Sequence, residues 1–319
     1  MKRRQFLQAG IAGASASQFG CASHEPIAAG PPGQSAVAIL KAASYSADLA
    51  GLLRRGAQLC GLEAKGKRVL LKPNLVEFAS NAAINTHVAV IVAAVELFRS
   101  LGAAEVLIGE GPGHRRDTIA LAEEAEYRRV ITQFDSIFID LNRDDVSPVR
   151  GFADLPEFYL PNTALQADLI VSLAKMKTHH WAGATLSMKN FFGLVPGSVY
   201  GWPKNQLHQI GIDRSIADLQ RVFPRSFAIV DGIVGMDGNG PIQGDPKSAG
   251  VLVMGSDLVS VDATCCRIMG IDPERLEYMR LTAERGHVHP GRIEQRGESV
   301  QSVETRFALI DSLKNVRLS

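Results

Sequence analysis

Short apolar runs alternate with stretches of helical periodicity over most of the chain. Residues 36–41, 68–73, 105–109 and 137–141 read as strands, and a second series follows at 168–173, 227–231 and 250–255. Several of these runs lack polar alternation, which suits strands buried on both faces of a sheet. Between them, residues 47–62, 88–101, 117–126, 127–134, 212–222, 258–269 and 273–285 fit helices. Ser46 is placed to cap the first helix and Gly102 to close the second. Pro73 stops its strand because proline has no amide for the ladder. The pattern predicts an α/β fold over residues 36–319: a mostly parallel sheet with helices on both faces. Residues 143–162, with Pro148, Pro156 and Pro161, read as an insertion or a joint between two subdomains. The tail over 301–319 alternates enough for one or two edge strands.

The start of the chain breaks this pattern. Lys2-Arg3-Arg4-Gln5-Phe6-Leu7 precedes a small-residue, weakly apolar run, and no acid occurs before Glu25. Residues 1–21 therefore read as a twin-arginine export signal, followed by a Pro/Gly/Ser linker over 22–35. The apolar run is too short and too rich in small residues for a transmembrane helix. Phe19-Gly20-Cys21 suggests a lipoprotein cysteine; release near Ala14-Ser15-Ala16 or Ala28-Ala29 is the alternative. The export machinery is then a partner, the periplasm or cell envelope the destination, and membrane contact depends on lipidation of Cys21. Twin-arginine export carries folded proteins, which often fits a cofactor loaded beforehand.

Composition narrows the classes further. Of 319 residues, 46% are hydrophobic and 21% charged, with 34 basic against 33 acidic side chains, which excludes disordered and collagen-like chains. A formal charge of +1 argues against nucleic acid as a partner. The cysteines (Cys21, Cys60, Cys265, Cys266) show no iron–sulfur or structural-zinc spacing, which leaves the cofactor unknown and a metal ion open. Cys265 and Cys266 fit packing as small hydrophobes.

Candidate chemistry gathers where strands end. Residues 169–212 contain no Asp or Glu but hold Lys175, Lys177, Lys189 and Lys204, with His179, His180 and His208. Lysines without acidic neighbours at the carboxyl end of a buried strand suggest an anion site in an open α/β sheet. A solvated basic loop is the bland alternative, and Trp181, Phe191 and Phe192 oppose it by anchoring the segment. His179 and His180 are either metal ligands or, with His179 preferred, an acid/base group. Lys72 and Asn74 flank Pro73 at another strand end and read as ligand-binding. Glu110, in the glycine turn Gly109-Glu110-Gly111-Pro112-Gly113, is a base, a metal ligand or a partner for a crevice lysine. Asp231 ends the apolar run 227–230 and is placed at the same edge. Ser256 or Asp257 fits a helix cap.

Lys72-Pro73-Asn74, Gly109-Glu110-Gly111-Pro112, Lys175-Met176-Lys177-Thr178-His179, Met188-Lys189-Asn190-Phe191-Phe192-Gly193, the Asp231 to Pro241 glycine run and Asp257 to Asp262 together resemble the domain-of-unknown-function family 362, in that family's order. Many of its members carry a ferredoxin-type module, which this chain lacks. More distantly, residues 179–189 leading to Pro196-Gly197 are similar to a run in the lactate racemase family. That resemblance implies Lys189 as the tether of a nickel pincer cofactor and His179 as acid/base or metal ligand.

The expectation is an exported, enzyme-like protein that takes a small anionic, carboxylate-type molecule. Lys72, Asn74, Lys175, Lys177, Asn190 and Asp231 would bind it, with His179, Lys189 and Glu110 catalytic. The chemistry would be isomerase-like or oxidoreductase. A metal- or flavin-dependent redox protein and a non-enzymatic envelope binding protein are the rivals.

Overall fold

The computed structural model describes residues 32–114 and 117–318. The export signal, Cys21 and most of the linker lie outside the described residues. Twelve strands appear in chain order: β1 (Ser35–Lys41), β2 (Arg68–Pro73), β3 (Glu105–Glu110), β4 (Phe138–Asp140), β5 (Val146–Val149), β6 (Phe158–Pro161), β7 (Leu169–His179), β8 (Gly183–Thr185), β9 (Ser226–Asp237), β10 (Asp245–Lys247), β11 (Val251–Gly255) and β12 (Ile293–Gly297). The main sheet runs β12-β1-β11-β9-β7-β2-β3-β4. It is parallel throughout β9-β7-β2-β3-β4 and between β1 and β12, and β11 runs antiparallel to both neighbours.

Alternate residues of each central strand enter two separate cores. Val37, Leu70, Ile170, Ala228 and Val253 face one; Ala38, Leu71, Val171, Ile229 and Leu252 face the other. Two buried faces explain the unbroken apolar runs. Helices Leu49–Leu59 and Val88–Ser100 cover the second face, and Ile212–Val222 and Leu258–Ile268 the first. Cys265 and Cys266 are wholly buried in the first core. Residues 143–162 form the β5–β6 hairpin, whose Phe158 and the loop's Phe152 stack at 3.9 Å and join that same core.

Local expectations shift in four places. Asp48, not Ser46, caps the first helix, its carboxylate accepting from the Gly51 amide at 2.9 Å. The helices read over 117–134 break into shorter ones, with Glu126 and Gln133 in the left-handed region at φ 64° and 63°. The helix expected over 273–285 is a 3-10 turn, Pro273–Arg275, then Glu277–Thr282. The tail forms a helical turn, Val300–Val303, and a 3-10 helix, Asp311–Val316, instead of edge strands; that edge is taken by β12. Leu313 and Val316 explain the difference, since they pack down onto the core at helical spacing.

The largest difference lies in β7 and β9. Both continue well past the apolar runs that announce them, to His179 and Asp237. Charge at Lys175, Lys177 and Asp231 disguises strand as loop, yet every residue of β7 is buried. A register shift between Lys175 and Lys177 sends the two lysines into different surroundings.

Candidate functional site

A cavity of about 570 Å³ opens at the carboxyl edge of the parallel strands. Its floor comes from strand ends: Lys72 of β2, Glu110 of β3, and Lys177 and His179 of β7. Residues 185–208 wrap over it and supply Thr185, Lys189, Asn190, Lys204 and His208. Apolar walls come from Val76, Trp181, Phe192, Pro203 and Ile242. The arrangement follows the rule that open α/β sheets place ligands outside the carboxyl ends of their strands.

The floor is braced by one buried ion pair. Lys72 Nζ donates to Glu110 at 2.7 Å, to Asn190 Oδ1 at 2.9 Å and to the Pro73 carbonyl at 2.8 Å, so all its protons are committed. Glu110 also accepts from the Leu75 amide at 3.0 Å and the Gly111 amide at 2.9 Å. Burial pushes the Lys72 amine down and the Glu110 carboxyl up; their mutual attraction opposes both shifts. Asn190 Nδ2 donates to the Lys72 carbonyl and to Ser172 Oγ, which fixes the 3-10 turn Lys189–Leu194 against β2 and β7. Gly193 passes so close that a Cβ there would sit 2.1 Å from Glu110 Oε1.

Three further lysines face the cavity without a carboxylate in ion-pair range among the described residues. Lys177 Nζ donates to the carbonyls of Ile84 at 2.8 Å and Pro241 at 3.2 Å. Burial, then neighbouring lysines, holds its amine well below the ordinary lysine range. Lys204 occupies the left-handed region at φ 67°, and its amine donates to the carbonyls of Gly111 and Phe192. Burial lowers it to about 7. Lys189 Nζ sits 4.2 Å above the Phe192 ring with no hydrogen-bond acceptor among the described residues, and burial lowers it to about 8. Two buried polar atoms of the lining, Asn74 Oδ1 and Thr185 Oγ1, have no partner among the described residues.

The two histidines differ in what they offer. His179 Nδ1 accepts from the Trp181 and Ala182 amides, each at 3.1 Å. A nitrogen so occupied carries no proton, so the neutral ring bears its hydrogen on Nε2. Burial first, then Lys189, holds the ring far below its ordinary pKa. His180 Nδ1 lies 2.8 Å from the Gly240 carbonyl, which only a protonated nitrogen can satisfy. In the neutral ring the lone pair then lies on Nε2.

Lys175 and Asp231 are placed elsewhere. Lys175 Nζ donates to Asp231 at 2.9 Å and to Tyr45 Oη at 2.8 Å, and Asp231 also accepts from Tyr45 and the His87 amide. Neither lines the cavity; the pair ties β7, β9 and the loop of Tyr45 together. The acid that pairs with Lys175 comes from a neighbouring strand, outside the acid-free segment, so the ligand-binding role expected of Lys175 and Asp231 is replaced by a structural pair away from the cavity. The sequence counts Lys204 and His208 in the acid-free segment and reads Trp181 as its anchor without a site role for any of them, and Thr185 carries no signal; all four line the cavity. The sequence reading also assigns Asp262 no site role. Asp262 accepts from the Ser187 amide at 2.8 Å, Ser187 Oγ at 2.5 Å and the Met188 amide at 3.0 Å, anchoring the strap that carries Lys189.

Of the residues that the resemblance implies for a tethered pincer cofactor, Lys189 has an amine with no acceptor among the described residues, whereas His179 Nδ1 is taken by two amides. Among the described residues no group of three or more His, Cys, Asp or Glu could hold a metal ion. His179 turns a proton outward, and Glu110 is committed to Lys72.

The family model described as Domain of unknown function (DUF362) matches residues 69–267, more than half the chain and all of the cavity. The chain belongs to this family. It is 27% identical over 265 residues to the thylakoid-associated protein sll1697 of Synechocystis sp., covering 78% of this chain and 79% of that protein. Among solved structures, the lactate racemase apoprotein of Thermoanaerobacterium thermosaccharolyticum is 12% identical with a TM-score of 0.46, over 74% of this chain. A Thermotoga maritima protein is 16% identical with a TM-score of 0.39, over 68% of this chain. This DUF362 chain spans 57% of each of those two chains.

Proposed function

We propose that this DUF362 protein binds a small carboxylate-type anion in the cavity and carries out proton chemistry on it. One observation supports this most: Lys177, Lys189 and Lys204 face the cavity with no carboxylate in ion-pair range among the described residues, beside Asn74 Oδ1 and Thr185 Oγ1, which have no partner among those residues either. An anion would neutralise the first group, and a hydroxyl on it would satisfy the second. Lys72 and Asn190 hold the floor rigid. His179 acts as a neutral N–H donor toward a developing oxyanion, and His180 Nε2 as the base. Lys175 and Asp231 support the strands behind the site. The apolar walls limit the ligand to a compact molecule with one anionic end.

The test is titration calorimetry of the full chain with short hydroxy- and oxo-carboxylates, phosphate and sulfate. A carboxylate should bind, and Lys177→Ala should weaken it by about tenfold or more, the scale of one charge-assisted hydrogen bond. Absence of binding by every anion would sink the reading. Binding without solvent-hydrogen exchange into the ligand would leave a binding protein in place of an enzyme.

We propose further that the twin-arginine segment delivers the folded protein to the cell envelope. A thylakoid-associated relative and the Lys2-Arg3-Arg4 start support this. Among the described residues no helix is long and apolar enough to cross a membrane.

A further inference from the structure

The geometry points to Lys189 as an imine-forming amine, and so to a 2-oxo acid as the substrate class. This rests on the carboxylate reading above and specifies it. The four cavity lysines divide by what their Nζ atoms already do. Lys72 donates to three acceptors, and Lys177 and Lys204 to two carbonyls each. Lys189 donates to none among the described residues and lies against the Phe192 ring. An amine attacks only through its lone pair, so it must be neutral and not held by acceptors. Lys189 alone meets the second condition; burial and the neighbouring Lys72 charge favour the first, against the Phe192 ring, whose face favours the ammonium.

The surroundings match the other end of such a substrate. Lys177 and Lys204 offer charge for a carboxylate, and His179 Nε2–H can polarise a neighbouring carbonyl oxygen. Asn74 Oδ1 and Thr185 Oγ1 can hold the hydroxyl formed on attack. The step balances without a co-reactant. The Nζ lone pair bonds to the carbonyl carbon while the C=O π pair moves to oxygen. That oxygen then leaves as water, taking the two protons that neutral Nζ gives up, and a C=N bond remains.

The experiment uses 2-oxobutanoate as probe on the full chain, with cyanoborohydride, intact-mass measurement and peptide mapping. One reduced adduct per chain is expected, located on Lys189 and suppressed by excess 2-hydroxybutanoate, which has no ketone to form an imine. Lys189→Arg and Lys189→Ala should each lose the adduct entirely, with folding checked by circular dichroism. Binding without an adduct, or adducts spread over Lys177, Lys204 and surface lysines, overturns the imine while the anion site stands. Loss of binding and adduct together in the unaltered chain overturns both.

Discussion

At the residue scale, the cavity works by dividing four chemically identical lysines into different states. Lys72 is an ammonium by virtue of Glu110, and that pair is costly to break. Glu110→Ala strands a charge in a site where Lys72 is 1% exposed, so denaturant unfolding should show a loss of about 3–5 kcal/mol. Lys72→Met combined with Glu110→Leu should recover most of it. Lys204 and Lys189, lowered to about 7 and about 8, lose their charge near neutrality. Anion affinity should therefore fall as pH rises through that range. Stability of the empty protein moves the opposite way. A lysine whose folded pKa is depressed contributes stability above its unfolded value, near pH 10, and loses it as pH falls through about 7. Thermal-shift curves from about pH 6 to about pH 10, with and without carboxylate, check both signs. A carboxylate that binds equally well at the two ends would rule out Lys189 and Lys204 as its counter-charges.

At the element scale, the strap over the cavity depends on contacts far away in the chain. Asp262, from the helix Leu258–Ile268, receives three donors from Ser187 and Met188 and is raised to about 7, mainly by burial. Asp262→Ala removes all three acceptor contacts, and about 2–4 kcal/mol of stability should go with them. Hydrogen exchange should accelerate at Ser187 and Met188 before the sheet is affected; uniform acceleration would mean that Asp262 supports the whole core instead. Gly193→Ala tests the same strap from inside. Its Cβ would lie 2.1 Å from Glu110 Oε1 and 2.3 Å from Lys72 Nζ, so the strap must lift or the ion pair must break. The expected cost is about 1–3 kcal/mol, with anion binding lost. The long strands β7 and β9 belong to this scale as well. Their apolar halves were legible as strands, but their charged halves were not, because Lys177 is satisfied by the carbonyls of Ile84 and Pro241, which are remote in sequence.

At the scale of the whole molecule, the export reading predicts that Arg3→Lys with Arg4→Lys leaves the chain in the cytoplasm, measured by cell fractionation. The fold itself was largely readable. Apolar runs buried on two faces, separated by helical periodicity, are determined by local composition, and they specify a doubly covered, mostly parallel sheet without reference to any distant contact. The acid-free stretch likewise marked the cavity, because its lysines and histidines have no acid within the stretch to pair with. Partners across strands were beyond the sequence. Lys175 and Lys177 stand two residues apart in one strand, yet the register shift gives one Asp231 and the other a cavity. His179 and His180 are neighbours, yet two amides bond Nδ1 of one ring and a carbonyl faces Nδ1 of the other, so the neutral rings carry their hydrogens on different nitrogens. Sequence alone determined which residues carry charge and which can be buried. Only the tertiary structure decided which charges are neutralised and which nitrogen keeps its lone pair, because both depend on atoms brought within about 3 Å by folding.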